Sequence, residues 1–307
     1  MILVFGSNIL DIFFNTDDVP RADCAIHLDS HDLRPGGKGA NQAIAAARAG
    51  AEVKFFGAVG HDAHGQYLVD CLKNAGIDTH GITLSDLPTG LATIFVDVRD
   101  GTHRAVVSQG ANLSVRQAAV PDSLLATAST LLVQGELPAE ETSALLKRAR
   151  RAGLRTILNL APVHEIDAGA LGCVDVFMVN QHEAARFSEM CEIEYDGLDD
   201  MVRKLQRAFG FVTVVTLGAS GSLVSGGDGI YRIPALGDLV VDTLGAGGAF
   251  AGNFAASLDQ GDDLMMAMKK ASIAAGLTCR AFGAQTALPL AGAVLERLPE
   301  IDYAGPF

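Results

Sequence analysis

The feature that most constrains the fold of this sequence is a regular alternation of short apolar runs and helical patterns from residue 130 onward. Each apolar run is followed directly by polar residues or glycine. Buried parallel strands have this near-continuous apolar character, and ligands bind beyond the carboxyl ends of such strands. The runs predicted as strands are 130–133, 156–158, 176–179 and 212–216. We therefore predict a doubly wound α/β fold with a mostly parallel sheet flanked by helices.

Two further strand-like segments, 91–98 and 103–108, interrupt the pattern of strands and helices in the first half of the chain. Arg99, Asp100 and Gly101 join them, which predicts a hairpin. A hairpin beside an otherwise alternating sheet suggests a small β-flap that serves as a lid over an active site. No linker, low-complexity tract or internal repeat marks a boundary. We expect one domain over residues 1–307, with lid segments at about 9–34 and 82–110.

Charge and composition bear on the partners and the location of the protein. The formal net charge of −13 disfavours nucleic acid and anionic membrane surfaces, because both require a basic patch. The five cysteines include no C-x-x-C pair, which is typical of reduced thiols in a cytoplasmic protein. We find no signal-peptide pattern and no apolar stretch long enough to span a bilayer. The expected location is the cytoplasm.

A glycine-rich turn near the C-terminal third of the chain opens a predicted helix. The apolar run 239–241 before the turn predicts the end of a strand, and a helical pattern begins at Ala249 after it. Such a turn leaves backbone N–H groups unpaired at the positive end of the helix dipole, so it can hold an anion such as phosphate. Tight packing explains the same glycines equally well at this stage. The turn consists of Gly245, Ala246, Gly247 and Gly248.

A second glycine turn, 36–39, precedes an alanine-rich helical pattern at residues 43–49. Lys38 and Asn41 could donate hydrogen bonds to hydroxyl groups there, although a tight turn with a solvated lysine is the simpler explanation. Asp11 follows the first predicted strand, where a helix or turn cap is the favoured explanation of the residue alone. Other polar residues and glycines also follow predicted strands, which raises their interest as ligands: Glu136, Asn159, Asn180, Glu183 and Gly218.

Together these motifs resemble the ribokinase-like (PfkB) carbohydrate kinases. Residues 36–43 resemble the N-terminal sugar-binding signature of that family, and residues 242–247 resemble the C-terminal one. Further matches occur in the same order as in the family, so that the resemblance covers nearly the whole chain. These matches are 90–95, 110–112, 159–162, 180–183, 216–221 and 283–285.

The resemblance implies transfer of the γ-phosphoryl group of ATP to a primary hydroxyl of a pentose or a similar sugar, with a lid that is often shared across a homodimer. It implies that residues 245–248 form the anion hole for the transferring group. The residues that the resemblance assigns to sugar hydroxyls are Asp11, Gly37, Lys38, Asn41 and Glu136.

The same resemblance assigns the nucleotide and the ions. Asn180 would bind near the phosphates, and Glu183 would organise Mg²⁺ indirectly through its waters. Thr216, Gly218 and Gly221 would line the nucleotide site. A monovalent cation such as K⁺ would be surrounded by Asp242 and by carbonyl groups of Thr278, Ala281 and Gly283.

Three positions depart from the family pattern. Ile9 replaces an asparagine, which puts ribose specificity in doubt, and Ala287 replaces a serine of the cation site. Gly248 stands where the family has the aspartate that serves as general base, and no other carboxylate in the motif replaces it. An engineered change, a sequence error and a natural non-catalytic relative would each explain Gly248. Because the other motifs are intact, a recent single change is the favoured interpretation.

Three functions follow from this pattern. The first is a sugar kinase that is catalytically impaired as written, the second is a nucleoside kinase of the same family, and the third is a sugar- or nucleotide-binding pseudokinase. Glu136 and residues 90–112 favour the first over the second. Gly248 is the single feature that favours the third.

Overall fold

Two β-sheets organise the chain in the computed structural model, which describes residues 1–19, 22–23, 25–99, 102–227, 229–237, 239–303 and 305. The strands are β1 (Ile2–Phe5), β2 (Ile9–Thr16), β3 (Asp32–Gly36), β4 (Val53–Gly60), β5 (Asp78–Ser85), β6 (Gly90–Asp97), β7 (His103–Ser108), β8 (Thr130–Gln134), β9 (Arg155–Asn159), β10 (Val176–Asn180), β11 (Val212–Thr216), β12 (Ser222–Ser225) and β13 (Ile230–Ile233). The helices are α1 (Lys38–Arg48), α2 (Ala63–Asn74), α3 (Asp122–Leu125), α4 (Ala139–Ala152), α5 (Ala168–Leu171), α6 (Gln181–Met190), α7 (Gly197–Phe209), α8 (Ala246–Asp259), α9 (Leu264–Thr278), α10 (Ala284–Ala287) and α11 (Ala291–Glu296).

The larger sheet has nine strands in the order β13-β12-β11-β10-β9-β8-β1-β4-β5. All neighbours from β11 to β5 are parallel, and β12 and β13 extend the sheet with antiparallel pairing at one edge. The chain builds outward from β1 in both directions, first to β4 and β5 and later to β8 and beyond. The prediction of a doubly wound, mostly parallel α/β sheet is therefore confirmed.

Both faces of this sheet are covered by helices, which explains why its strands are apolar without alternation. In β1, Ile2 and Val4 face a core shared with α1, α8 and α9. Leu3 and Phe5 face a second core, shared with α4, α6 and α7. Because successive side chains of a strand point to opposite faces, a strand between two helical layers needs apolar residues at every position.

The smaller sheet forms a flap of four strands in the order β3-β2-β6-β7. β6 and β7 pair in antiparallel fashion, as the hairpin prediction required, whereas Asp100 and Gly101 of its connection lie outside the described residues. The expected lid segment 82–110 begins inside β5, which belongs to the larger sheet, and the flap strands begin at Gly90. The buried residues of the flap form a small separate cluster of Ile9, Phe13, Ala92 and Ile94.

The prediction of a strand end at residues 239–241 is wrong. These residues form an irregular segment in which Leu239 is 83% exposed and Val240 is 56% exposed. Val241 N donates a backbone hydrogen bond to Cys279 O at 2.8 Å, and Cys279 belongs to no strand. An apolar run becomes a strand only where neighbouring strands accept its hydrogen bonds, and this segment crosses from the sheet edge to α8 instead. The following helix begins at Ala246, three residues before the predicted start at Ala249.

Two other expectations can be compared with the described residues. Reduced cysteines were expected, and four cysteines are free thiols: Cys71, Cys173, Cys191 and Cys279. Cys24 lies outside the described part of the chain. Among the described helices, none combines the length and the apolar character that crossing a bilayer requires.

Candidate active site

The candidate site lies at the carboxyl edge of the larger sheet. β1, β8, β9, β10 and β11 are consecutive neighbours, so the residues that follow them stand in a row along this edge. From one end to the other these residues are Ser7, Glu136, Asn159, Asn180 and Thr216. The residues assigned to sugar therefore lie at one end of the row, and those assigned to nucleotide lie at the other.

Asp11 is a buried carboxylate on β2 that has no hydrogen-bond partner within the described residues. It is 9% exposed, and a Cβ atom on Gly36 would lie only 2.1 Å from its Oδ2 atom, so only glycine fits at position 36. Burial raises the pKa of Asp11 to about 7, the nearby Glu136 adds to this rise, and Lys38 and Arg34 oppose it. An unpartnered buried carboxylate is suited to accept hydrogen bonds from ligand hydroxyl groups.

Glu136 anchors the start of α1. Its Oε2 atom accepts a hydrogen bond from Lys38 N at 2.9 Å and a short one from Ser7 Oγ. A carboxylate at the first turn of a helix is stabilised by the free N–H groups and the helix dipole. Glu136 thus joins the end of β1 to the helix that begins after Gly37. Ser7 was not identified from the sequence, although it directly follows a buried strand.

The two glycine-rich signatures face each other across the site. A Cβ atom on Gly248 would lie 3.1 Å from Asn41 Cβ, which brings the first turn of α8 against the first turn of α1. The Oδ1 atom of Asn41 is buried and has no hydrogen-bond partner within the described residues. The arrangement places an unused side-chain acceptor next to the turn that was predicted to hold phosphate.

The turn at the start of α8 offers two free backbone donors. Ala246 N donates to Thr243 O at 3.3 Å, whereas Gly247 N and Gly248 N have no acceptor among the described residues. Gly245 adopts φ 83°, and a Cβ atom there would lie 2.7 Å from Ala284 Cα, so both conformation and space require glycine. Free N–H groups at a helix N-terminus are suited to bind a phosphoryl group.

Asn180 and Glu183 form a capping box at the start of α6. Asn180 Oδ1 accepts from Glu183 N at 2.8 Å, and Glu183 Oε2 accepts from Asn180 N at 2.9 Å. Burial raises the pKa of Glu183, which the bond from Asn180 N and the charge of Lys38 partly oppose. The pair that the family resemblance assigns to Mg²⁺ and the phosphates therefore also has a structural role. Lys38 lies close enough to act electrostatically on both ends of the site.

The remaining nucleotide residues lie in the turn after β11. Thr216 ends the strand, and Leu217 N donates to Gly221 O at 2.7 Å, which closes the turn around Gly218. The backbone of Thr216 lies beside Asn180 at the carboxyl edge of the sheet, because the two residues are paired in register. This turn continues the row of candidate residues beyond the α6 cap.

Asp242 ties two loops together beside the α8 turn. Its Oδ1 atom accepts from Leu244 N at 2.9 Å, and its Oδ2 atom accepts from Gly283 N at 2.9 Å. The Thr278 hydroxyl donates to Ala274 O at 2.8 Å. Together with Ala281, these groups supply oxygen donors, which suit a hard cation. No group of three or more His, Cys, Asp or Glu side chains suited to a metal occurs within the described residues.

A chain of buried amides lies beneath the site, and the sequence analysis did not identify it. Gln134 Nε2 donates to Gln42 Oε1 at 2.8 Å, and Gln42 Nε2 donates to Asn159 Oδ1 at 2.8 Å. Asn159 Nδ2 then donates to Met178 O at 2.9 Å. The chain links β8, α1, β9 and β10. Asn159, predicted to contact a ligand, therefore has a structural role between strands.

Ile9 lies on the same face of β2 as Asp11, two residues away. It is 3% exposed and packs in the flap cluster with Phe13, and Leu244 of the α8 turn packs against this cluster. Asn8, the neighbouring carboxamide, is 1% exposed, and neither atom of its side-chain amide has a partner within the described residues. An apolar side chain therefore occupies the position beside Asp11.

Comparison with known proteins gives consistent results. The sequence model described as pfkB family carbohydrate kinase matches residues 1–291. The chain is 30% identical over 302 residues to a ribokinase of Lactococcus lactis, with 97% of each chain covered. It is 32% identical over 301 residues to a ribokinase of Bacillus subtilis, with coverage of 97% of this chain and 99% of the relative.

Solved structures extend the similarity to the fold. The ribokinase of Thermotoga maritima matches with a TM-score of 0.90 at 28% identity, covering 97% of this chain and 99% of that chain. The ribokinase of Arabidopsis thaliana in complex with ribose and ATP matches with a TM-score of 0.87 at 26% identity, covering 97% and 98%. The similarity therefore includes both sheets.

Proposed function

Because the chain belongs to the pfkB family of carbohydrate kinases, we propose that it transfers the γ-phosphoryl group of ATP to a primary hydroxyl of a pentose or a similar sugar. The ribokinases among its relatives support the choice of a pentose. The observation that carries the proposal is the close approach of the two signatures, with 3.1 Å between Asn41 Cβ and the Cβ position of Gly248. This approach would hold a sugar hydroxyl next to the free N–H groups of the α8 turn.

The sugar would bind between the flap and α1. Asp11 and Glu136 supply carboxylate acceptors, and Lys38 and Asn41 supply donors, so that both sides of a polyol find partners. Support comes from the buried position of Asp11 and from its lack of a partner within the described residues.

ATP would place its γ-phosphoryl group on the N–H groups of Gly247 and Gly248, with Thr216, Gly218 and Gly221 beside the nucleotide. Mg²⁺ would take most of its ligands from phosphates and water, with Asn180 and Glu183 acting indirectly, because no ready-made carboxylate cluster occurs within the described residues. When bound, Mg²⁺ neutralises charge on the phosphates.

A monovalent cation such as K⁺ would bind to Asp242 and to the carbonyl groups of Thr278, Ala281 and Gly283. Support comes from the bonds of Asp242 to Leu244 N and Gly283 N, which hold the two loops together. Ala287 removes the serine hydroxyl that the family pattern supplies, so the cation should bind weakly. Its role would be to order the α8 turn.

Gly248 makes the protein as written a poor catalyst under this proposal. The resemblance to the family puts the general base at this position, and a positioned base typically contributes about 10²–10⁴-fold in rate. A recent single change in an active kinase is the favoured explanation. A sugar- or nucleotide-binding protein without catalysis is the second candidate, and Gly248 is the observation that favours it.

We include a homodimer through the lid in the proposal. Leu33 and Val106 are 48% and 70% exposed, and the stacked pair of Phe14 and Phe95 shares their face of the flap. An apolar sheet face of this kind is suited to pairing with a second copy. Sedimentation analysis should give a dimer, and a stable monomer at micromolar concentration would contradict this part.

Free thiols at the four described cysteines are consistent with a cytoplasmic location.

A binding panel tests the proposed function even if turnover is slow. Ligands that bind the folded state raise its thermal stability. Ribose, other pentoses, hexoses and nucleosides should therefore be compared, each with and without a non-hydrolysable ATP analogue. A pentose should give the largest shift. A larger shift with nucleosides would support a nucleoside kinase, and no shift with any sugar would contradict the proposal.

A further inference from the structure

Arg34 of the flap is a cation that the sequence analysis did not consider. It stands directly opposite Asp11 in the register of β2 and β3, so the two side chains share one face of the flap. Phe13 lies on the same face, and the Arg34 guanidinium carbon is 4.7 Å from the centroid of its ring. Arg34 therefore points to the side of the flap that carries the sugar-binding carboxylate.

The other end of the guanidinium reaches the main body of the protein. A Cβ atom on Gly283 would lie 3.5 Å from Arg34 Nη1. Gly283 is bonded to Asp242, and the next residue, Ala284, packs against Gly245 of the α8 turn. Arg34 therefore lies at the seam between the flap and the loops that hold the phosphoryl-binding turn.

Its protein partners leave donors free. Arg34 Nη2 pairs with Asp32 Oδ2 at 3.0 Å, and the side chains are 28% and 54% exposed. Ion pairs this exposed contribute little to stability. Within the described residues, Nη1 and Nε have no hydrogen-bond acceptor. A guanidinium held on an aromatic ring at a cleft, with free donors, is suited to bind an oxyanion with two parallel hydrogen bonds.

We propose that Arg34 binds a phosphoryl group that enters the seam between the flap and the α8 turn. The inference rests on the proposed function and deepens it, because it adds a phosphate-binding residue supplied by the flap. Two sources supply this chemistry: the γ-phosphoryl group of the nucleotide, and a phosphate carried by the acceptor sugar. In the first case Arg34 stabilises the charge of the transferring group, and in the second it selects phosphorylated acceptors.

Titration calorimetry separates the two sources. Arg34→Gln is compared with Arg151→Gln, which removes the same charge from an exposed position on α4, away from the flap. The ligands are a non-hydrolysable ATP analogue, ADP, a pentose and the 1-phosphate of that pentose, which keeps the primary hydroxyl free. Losing a charge-assisted hydrogen bond should weaken binding about 10- to 100-fold. Arg34→Lys should retain part of the affinity, because it keeps the charge without the planar fork.

If the nucleotide is the source, Arg34→Gln weakens binding of the ATP analogue. The affinity for ADP then stays within about twofold of that of the unsubstituted protein. If the acceptor is the source, the ratio of pentose phosphate to pentose affinity falls instead. Both ratios remaining within about twofold, as for Arg151→Gln, would overturn the inference and leave the proposed function intact. A chain that binds neither sugar nor nucleotide before any substitution would overturn both. Thermal unfolding of each variant checks that it is folded.

Discussion

The sugar end and the nucleotide end of the site differ in how their polar groups are satisfied. At the sugar end, Asp11 has no partner within the described residues, and the Oδ1 atom of Asn41 is buried and unpaired. At the nucleotide end, Asn180 and Glu183 satisfy each other, and both carboxylate oxygens of Asp242 accept backbone N–H groups. Asp11 and Asn41 thus differ from these paired groups in their relation to the fold, whereas Glu136 of the sugar end is paired with Lys38 N and Ser7 Oγ.

The difference indicates which residues serve a ligand and which also serve the fold. A buried polar group without a partner costs stability unless a ligand or water satisfies it, so its presence points to binding. A group that is already paired holds its loop in place whether or not a ligand is bound. Substitutions at Asp11 and Asn41 should therefore change affinity more than stability, and loss of the α6 cap at the nucleotide end should also cost stability.

The largest expected effect concerns Gly248, which lies where the two ends meet. Gly248→Asp should raise turnover by about 10²–10⁴-fold, because it restores a base next to the sugar hydroxyl. The new Cβ atom would lie 3.1 Å from Asn41 Cβ, so a shift of a few tenths of an ångström should accommodate it. Coupled ADP release measures the rate. Gly248→Asn introduces a side chain of the same size as aspartate that cannot act as a base, so its turnover should stay slow. Equal rates for all three proteins would contradict the lost base.

The next largest effect is expected at Lys38. Lys38→Ala should weaken pentose binding about 10- to 100-fold, since a charge-assisted hydrogen bond to the sugar is lost. Asn41→Ala should weaken pentose binding less, about fivefold, because the hydrogen-bond donor that it removes is neutral. Calorimetric titration with pentose and with ATP measures both, and ATP affinity should change less than sugar affinity. Equal losses for the two ligands would contradict the assignment of Lys38 and Asn41 to the sugar end.

A third effect is a dependence of sugar binding on pH. The pKa of Asp11 is about 7, far above its value in the unfolded chain, so the carboxyl is mostly neutral at pH 6 and mostly ionised at pH 8. The ionised form accepts hydrogen bonds from sugar hydroxyls better, and pentose affinity should rise about tenfold over this interval.

The raised pKa has the opposite effect on the stability of the unliganded protein, which falls as pH rises from about 4 to 7. Asp11→Asn should flatten both profiles, and an unchanged profile would exclude Asp11 as their source.

The smallest effects are expected at the α6 cap. Glu183→Gln should raise the Mg²⁺ concentration needed for nucleotide binding a few-fold while leaving pentose affinity near normal. Glutamine can still accept the bond from Asn180 N, so the free energy of unfolding should change little. Asn180→Ala removes the cap itself and should cost about 0.5–2 kcal/mol of stability. Titration with Mg²⁺ and denaturant unfolding measure the two quantities. An unchanged Mg²⁺ requirement would leave Glu183 with a structural role alone.

Sequence patterns predicted the parts of the molecule that depend on local chemistry. The strands at 130–133 and 176–179 and the hairpin of β6 and β7 follow from residue type and spacing. The apolar run 239–241 misled because its composition resembles a strand, whereas its exposure is set by the absence of strand neighbours.

The contacts that the sequence could not predict join segments far apart in the chain. Arg34 meets Gly283, and Gln42 bridges Gln134 and Asn159, through packing that no local pattern encodes. The double role of Glu183 is a further case, because its spacing from Asn180 suits both a capping box and a metal site. Local rules identify such residues, and only the folded chain distinguishes their roles.

A crystal structure of the chain with a pentose and a non-hydrolysable ATP analogue tests the central claim most directly. The account predicts sugar hydroxyls against Asp11, Lys38 and Asn41, with the terminal phosphate on the N–H groups of Gly247 and Gly248. The primary hydroxyl should point to that phosphate, with water in the space beside Gly248. A sugar and a nucleotide bound at positions that do not face each other would contradict the account.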